Sequence, residues 1–194
     1  MRKVLLSLIV SVLLLVLAAN SVLAGGVIKF GVELPGSVEI SAKATGYAEE
    51  KDKQDTEMGF SVAGEYFFDL NENLAVGAGA EYQLRRKVKD AEKGFNYIPI
   101  YALGRYQIDS TFYLTGKIGY NLFQPEDFPE EIKIKGGLFF GLGGGAVFQE
   151  VWQIEVLYAI NNGGFKIPEE PGYLPEIDIG WKYSKIGVSV GYKF

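Results

Sequence analysis

The sequence predicts an all-β protein, an antiparallel up-and-down transmembrane β-barrel of eight strands. Three observations support this fold class. Large apolar side chains alternate with small or polar ones along most of the chain, long polar loops alternate with short turns, and the last residue is aromatic, Phe194. Successive side chains of a strand point to opposite faces, so each alternating segment has one bulky apolar face. A chain that crosses a membrane on strands must form a closed barrel, because lipid tolerates no open sheet edge.

The hairpin predicted at 136–158 shows the alternation best, with the sequence GGLFFGLGGGAVF, then QE, then VWQIEVLY. Bulky residues occupy its even positions. Its odd positions carry small residues before the break and polar ones, including Glu155, after it. A face this rich in glycine is unusual for a solvated surface. The pattern favours a bulky face against lipid and a small-residue face inside a narrow barrel.

Other segments repeat the same phase, with apolar residues on even positions. These segments are 28–44, 58–68, 74–84, 98–108 and 112–122. The dipeptide Pro35-Gly36 interrupts the first of them, and we expect it to leave the phase unchanged up to Ala44. Pro99 cannot donate a ladder hydrogen bond, so we expect it near the barrel rim or at a β-bulge.

The connections between these segments predict the strand count. Long polar loops lie near 48–56, 86–94, 124–133 and 161–175, and short turns lie near 69–73, 109–110 and 149–150. Eight strands with this asymmetry are typical of small outer-membrane barrels. After Ser184-Lys185 the apolar residues move from odd to even positions, which a two-residue turn or a bulge would produce. Turns there and at Pro35-Gly36 would give ten strands, the alternative count.

The first 24 residues predict a secretory signal peptide. Arg2 and Lys3 precede an apolar run at 4–17, which is shorter than the ~20 residues of a membrane-spanning helix. Small and aliphatic residues then lead to a cleavage site between Ala24 and Gly25. We expect residues 1–24 to be removed and 25–194 to form one barrel domain in the envelope of a bacterium.

The composition excludes several function classes. The chain has no Cys and no His, which removes thiol and imidazole catalysis, disulfides and His/Cys metal clusters. The formal net charge of −5 argues against nucleic-acid binding. The glycine run at 141–145 precedes no helix and no Lys-Ser/Thr pair, so it is not a phosphate loop. We therefore expect no enzymatic activity, no cofactor and no metal.

Charged residues of both signs fall on the odd-position face. The predicted lumen charge network consists of Glu65, Glu81, Arg85, Arg105, Lys117 and Glu155. Asp178 and Lys182 are weaker candidates. Charges inside a narrow barrel must be paired, so we expect a salt-bridged plug in which loss of Arg105 would strand a carboxylate. The alternative is a gated ion path.

Acidic pairs and aromatic residues suggest roles at the barrel ends. The pairs Glu49-Glu50, Glu130-Glu131 and Glu169-Glu170 lie in loops, where we expect solvated surface, with a loosely bound divalent cation as the alternative. The aromatics cluster at strand ends and are expected to form two interfacial girdles. Those near the short turns are Phe68, Tyr106, Phe112, Phe148, Trp152 and Tyr192, and those near the long loops are Tyr47, Tyr82, Tyr97, Tyr120, Phe123 and Tyr158.

The ending Gly191-Tyr192-Lys193-Phe194 and several strand-like segments resemble a known family. The segments are MGFSVAGEYFF, LAVGAGAEY, IPIYALGRYQI, LTGKIGYN, GGLFFGLGGGAVF and VSVGYKF. In this order, from Met58 to Phe194, they look like the small OmpX/OmpA-type proteins of the outer-membrane β-barrel domain family. The resemblance implies insertion into the outer membrane, with Tyr192 and Phe194 as the C-terminal signal that the assembly machinery reads. It implies no single activity.

Together these features predict a monomeric, non-enzymatic integral barrel of the bacterial outer membrane. Its partners would be outer-membrane lipid and, during insertion, the assembly machinery, and its role would be structural or a surface interaction through the long loops. One alternative is a small porin or ion-conducting barrel. Another is a soluble periplasmic, lipocalin-like ligand barrel. A barrel-embedded lipase, protease or acyltransferase is a third, but such sites usually need a base such as His.

Overall fold

A computed structural model describes residues 24–44, 48–89, 91–126, 129, 132–168 and 175–194. The predicted signal peptide lies outside the described residues except for Ala24. The described part contains eleven β-strands: β1 (Ala24–Glu33), β2 (Ser37–Ala44), β3 (Glu50–Asp55), β4 (Gly59–Asp69), β5 (Leu74–Gln83), β6 (Arg86–Lys87), β7 (Gly94–Gln107), β8 (Phe112–Pro125), β9 (Lys133–Phe148), β10 (Trp152–Ile167) and β11 (Ile177–Lys193). None of the residues described forms a helix long and apolar enough to cross a membrane.

Eight of these strands form a closed antiparallel ring. The order around it is β1, β4, β5, β7, β8, β9, β10 and β11, and β1 closes the ring by pairing with β11 from Val27↔Lys193 to Glu33↔Gly187. Strands β2, β3 and β6 prolong β1, β4 and β5 at the end that carries the long loops. The predicted eight-stranded barrel is confirmed, and the ten-stranded alternative is wrong.

The dipeptide Pro35-Gly36 changes the phase of the first strand, contrary to our expectation. The pairing with β11 passes from Glu33↔Gly187 to Ser37↔Ser184, so β1 and β2 contain one residue more than their partner. Such an extra residue is a β-bulge, and it reverses which face the following side chains occupy. Val38 is therefore fully buried inside the barrel instead of facing outward.

Strand β11 has no interruption at Ser184-Lys185. It pairs with β10 in one register from Trp152↔Tyr192 to Ile167↔Ile177, so neither the turn nor the bulge considered there is present. Odd positions face the interior on both sides of this point, since Tyr183 and Lys185 are both buried. The apolar pattern changes because lipid surrounds the lower part of the barrel wall and water surrounds the upper part. Apolar side chains of β11 therefore face outward in the lower part and inward in the upper part.

Two local irregularities follow from turn and proline chemistry. In the β9–β10 turn, Gln149 and Glu150 have φ of 50° and 63°, and the Val151 N–H donates to the Phe148 carbonyl at 3.3 Å. Two positive φ values define a type I′ turn, whose twist matches that of a two-stranded ribbon. Pro99 lies where the ladder between β5 and β7 is broken, as predicted.

The lumen as the candidate functional site

The outer surface of the ring is apolar. The large apolar side chains that are exposed in the described part all occupy even positions, and Leu142 on β9 has the highest exposed fraction, 72%. Surface of this kind is stable only against lipid or another apolar partner. The predicted orientation of the bulky face is confirmed.

The aromatic girdle at the short-turn end is present, and the opposite one is smaller than expected. Phe68, Tyr106, Phe112, Phe148, Trp152 and Tyr192 all expose about half of their surface. At the long-loop end Tyr82, Tyr120 and Tyr158 point outward. Tyr97 and Phe123 do not belong to that girdle, because they occupy odd positions and are buried inside the barrel. Tyr47 lies outside the described residues.

The barrel is taller than the apolar band that surrounds it. Strand β10 has 16 residues, whereas about 9–11 residues span a membrane. At a rise of about 3.3 Å per residue and a tilt near 40°, β10 is about 40 Å tall, about 15 Å more than the usual apolar band. Outward positions on this upper part carry ion pairs instead of apolar side chains, including Lys166–Glu176 at 2.7 Å and Lys135–Asp178 at 2.6 Å.

Four charged side chains form a closed ring across the lower half of the lumen. Lys29 lies 2.7 Å from both Glu65 and Glu155, and Lys117 lies 2.6 Å from Glu65 and 2.8 Å from Glu155. The hydroxyls of Tyr101 and Tyr113 donate to these carboxylates at 3.0 and 3.1 Å. This lower charge cluster, consisting of Lys29, Glu65, Lys117 and Glu155, is buried and has no net charge.

A second neutral set of charges lies above the first. Lys185 contacts Glu33 and lies 2.8 Å from Glu81, and Arg86 contacts Glu33 and donates to the Tyr183 hydroxyl at 2.7 Å. We call Glu33, Glu81, Arg86 and Lys185 the upper charge cluster. Both clusters span the lumen between different strands, so they tie opposite walls of the barrel together.

An aromatic cluster fills the lumen above the charges. Its buried members are Val38, Val88, Phe95, Tyr97, Phe123 and Tyr183, and Trp181 and Phe165 pack against them. Most ring pairs meet edge to face or tilted, with centroids 5.5 Å apart for Phe95–Tyr183 and 4.9 Å apart for Tyr97–Phe123, whereas Tyr97 and Tyr183 are stacked at 6.5 Å. Outside the membrane this upper aromatic cluster gives the barrel the polarity of a soluble protein, with an apolar interior and a charged exterior.

Two members of the predicted lumen network, Arg85 and Arg105, belong to neither charge cluster. Arg85 is half exposed at the rim and pairs with Glu126 at 2.6 Å. Arg86 points inward instead of Arg85, because the strand pairing is interrupted between Gln83 and Arg86. The Gly94 N–H that Glu126 accepts, together with nearby Arg85, lowers the pKa of Glu126.

Arg105 makes no ion pair with a carboxylate in the described part of the chain. It packs on the rings of Phe67 and Tyr113, 4.1 and 4.0 Å from their centroids, and donates to Gln153 at 3.0 Å. Its loss would therefore strand no carboxylate, and that expectation was wrong. The weaker candidates Asp178 and Lys182 lie on the outer surface.

Sequence reasoning missed four members of the two clusters: Lys29, Glu33, Arg86 and Lys185. Lys29 and Glu33 stand on odd positions of the first segment, so the alternation alone could have placed them in the lumen. Lys185 was not assigned to the lumen because a two-residue turn was considered at Ser184-Lys185. Arg86 has an even number, and only the bulge before it turns its side chain inward.

The lumen is open at the short-turn end, where a cavity of about 640 Å³ lies. A groove of about 540 Å³ at the long-loop end lies on the rim beside the exposed residues Met58 and Arg85, and none of the upper aromatic cluster lines it. Between the two charge clusters there is a void of about 30 Å³, room for about one water.

The described residues hold no group of three or more acidic side chains placed to bind a metal ion. Of the acidic loop pairs, Glu130-Glu131 and Glu169-Glu170 lie outside the described residues.

Comparison with known proteins identifies the family. The family model of the outer membrane protein beta-barrel domain matches residues 9–194. The chain belongs to this family. The resemblance inferred from the sequence is thereby confirmed, and the protein resides in the bacterial outer membrane in contact with lipid. The soluble lipocalin-like alternative is wrong.

Solved structures of family-like barrels are similar in fold. OprG from Pseudomonas aeruginosa matches with a TM-score of 0.51 and 15% identity over 89% of this chain and 96% of OprG. Outer membrane protein AlkL matches at 0.47 and 17% over 91% and 92%. Ail of Yersinia pestis matches at 0.45 and 16% over 89% and 100%. A search of curated proteins gave no match.

Proposed function

We propose that this outer-membrane barrel is monomeric, non-enzymatic and non-conducting, and that it acts at the bacterial surface through its long loops. The observation that carries the proposal is the closed lumen. Both charge clusters and the upper aromatic cluster cross the barrel interior, so no continuous water column joins the two ends of the described barrel. The absence of His from the whole chain supports a non-enzymatic role.

Conductance in planar bilayers tests the closed lumen. We expect no open-pore current from the wild type in many independent insertions, with heat-modifiable migration on a gel showing that the same preparation is folded. Stable ohmic channels would contradict the proposal.

An ion path is the second candidate, and one observation favours it. A cavity of about 640 Å³ opens into the lumen from the short-turn end, and a void already lies between the two charge clusters. Replacing both Glu65 and Glu155 with Gln leaves Lys29 and Lys117 to repel each other. Discrete, stable currents from this folded double variant, against a silent wild type, would favour a gated path over a permanent plug.

The surface role requires the long loops to face the cell exterior. The chain has no Cys, so single cysteines can be labelled cleanly. A membrane-impermeant maleimide on intact cells should label Lys53→Cys, in the hairpin of β2 and β3, and leave Asn71→Cys, in a short turn, unlabelled. The opposite result would place the short turns outside and remove the basis for the proposed role.

Export and insertion complete the proposal. The signal peptide would be cleaved between Ala24 and Gly25, and the assembly machinery would recognise Tyr192 and Phe194. Phe194 already docks on the first strand, where it exchanges backbone hydrogen bonds with Gly26 at 3.2 and 2.9 Å. N-terminal sequencing of the membrane-fraction protein should return Gly25 as the first residue.

A further inference from the structure

The cavity at the short-turn end contains Arg105, a cation that has no carboxylate within ion-pair distance among the described residues. In the two clusters four cations face four carboxylates. Arg105 is a ninth lumen charge, and among the described residues it has no carboxylate partner. A cation in a partly desolvated site is costly unless an anion compensates it.

Arg105 also retains most of its hydrogen-bonding capacity. Of the five N–H donors of a guanidinium, one is used within the described part of the chain, by the Gln153 Oε1 atom at 3.0 Å. The rings of Phe67 and Tyr113 fix the guanidinium by stacking against it. A guanidinium held in this way is pre-organised to bind a planar oxyanion.

Gln153 carries an unpartnered donor next to Arg105. The residue is 3% exposed, its oxygen is engaged by Arg105, and its buried Nε2 has no hydrogen-bond partner among the described residues. A buried amide without an acceptor is uncommon in a native protein. Both Arg105 and Gln153 line the cavity of about 640 Å³.

The remaining walls narrow the class of ligand. Val27, Phe67 and Ala75 give apolar surface, whereas the exposed Asp69, Glu72 and Glu150 at the mouth would repel a multiply charged anion. Lys193 also lines the cavity and adds a cation near the mouth. We propose that this cavity binds a small organic monocarboxylate from the periplasmic side, with Arg105 and Gln153 holding its carboxylate and the apolar wall contacting its organic part.

Titration of the full mature chain in detergent micelles tests the proposal. The probe is benzoate, with benzamide as its uncharged isostere and inorganic phosphate and chloride as other anions. Benzoate should shift the Gln153 side-chain amide signals in a saturable manner, and the three other probes should bind more weakly. Arg105→Gln should weaken benzoate binding by about tenfold or more, the loss expected for a charge-assisted hydrogen bond.

Two further variants keep the test decisive. Gln153→Glu places a carboxylate beside Arg105, so it should compete with benzoate and abolish binding while the barrel stays folded, even if Arg105→Gln does not fold. Arg85→Gln removes a cation at the opposite end and should leave the affinity unchanged. The proposal is overturned if benzoate does not bind, if Gln153→Glu binds it as tightly as the wild type, or if phosphate or chloride binds equally well.

Discussion

Leu142 shows at the scale of one residue how the membrane selects the outer face. Its side chain projects from the middle of β9 and is 72% exposed in the barrel alone, so its stability depends on lipid. We expect Leu142→Arg to lower the free energy of unfolding in lipid vesicles by about 2–4 kcal/mol, because a cation at mid-membrane depth is poorly solvated. The measurement is reversible urea unfolding followed by tryptophan fluorescence. Leu142→Ala is the control for loss of the side chain, and an equal effect of the two substitutions would contradict the lipid-facing assignment.

Gly143, the next residue, is required for a different reason. A Cβ added there would lie 2.1 Å from the Val156 carbonyl oxygen and 2.9 Å from the Leu157 Cα of the neighbouring strand. These are backbone atoms that cannot move aside cheaply. Gly143→Ala should therefore destabilise the barrel by about 1–3 kcal/mol in the same unfolding assay.

Gly116 on β8 provides the matched control for this prediction. A Cβ added there meets no atom within 4 Å. Gly116→Ala should be neutral or slightly stabilising, because glycine pays more conformational entropy than alanine on folding. Equal destabilisation by both substitutions would show that close packing against β10 is not the cause.

Among the elements, the turn between β7 and β8 depends on a single carboxylate. Asp109 accepts hydrogen bonds from the backbone N–H groups of Phe112 and Thr111, both at 2.8 Å. These bonds lower the pKa of Asp109, with that from Phe112 contributing most. Because the folded pKa is depressed, the stabilisation is present above the unfolded pKa, about 3.9, and is lost as the pH falls through the folded value.

This linkage predicts a pH-dependent effect of Asp109→Ala. The substitution should lower the urea midpoint of unfolding at pH 7, and its deficit relative to the wild type should shrink as the pH falls below about 4. Ser110→Ala, in the same turn, should leave the urea midpoint unchanged both at pH 7 and below pH about 4. A deficit of Asp109→Ala that did not change with pH would show that the turn does not depend on the ionised carboxylate.

At the scale of the whole molecule, the lower charge cluster joins four strands that are distant in sequence. Lys117 on β8 reaches Glu65 on β4 and Glu155 on β10. Lys117→Met would leave two carboxylates with only Lys29, and breaking a buried pair costs about 3–5 kcal/mol. We expect a loss of that size in the free energy of unfolding.

Adding Glu155→Gln to this variant restores neutrality between Lys29 and Glu65, so the double variant should recover part of the lost stability. Arg85→Met, which breaks the half-exposed pair with Glu126, should cost at most about 1 kcal/mol. If Lys117→Met were as mild as Arg85→Met, the lumen would be solvated enough to screen its charges, and the closed-lumen proposal would fail.

The sequence by itself determined the barrel class and the outward face of the membrane-embedded part. It favoured eight strands over ten, and the unbroken pairing of β11 with β10 decided between them. These features depend on a period of two and on loop lengths, both of which are local properties of the chain. The position of Pro99 at a break in a ladder could also be predicted from the sequence, because proline lacks a backbone N–H in any environment.

Only the tertiary structure decided which side chains fill the lumen and which of its charges pair. Whether Arg85 or Arg86 points inward, and whether Val38 is inside, depends on bulges that appear only when two strands are paired. Arg105 and Glu155 share a face by alternation, yet which charges meet across the barrel depends on strand register. The odd positions of Tyr97 and Phe123 already place them on the inward face, so the alternation could have separated them from the girdle residues. That they meet Phe95 and Tyr183 in one cluster is decided by the strand register.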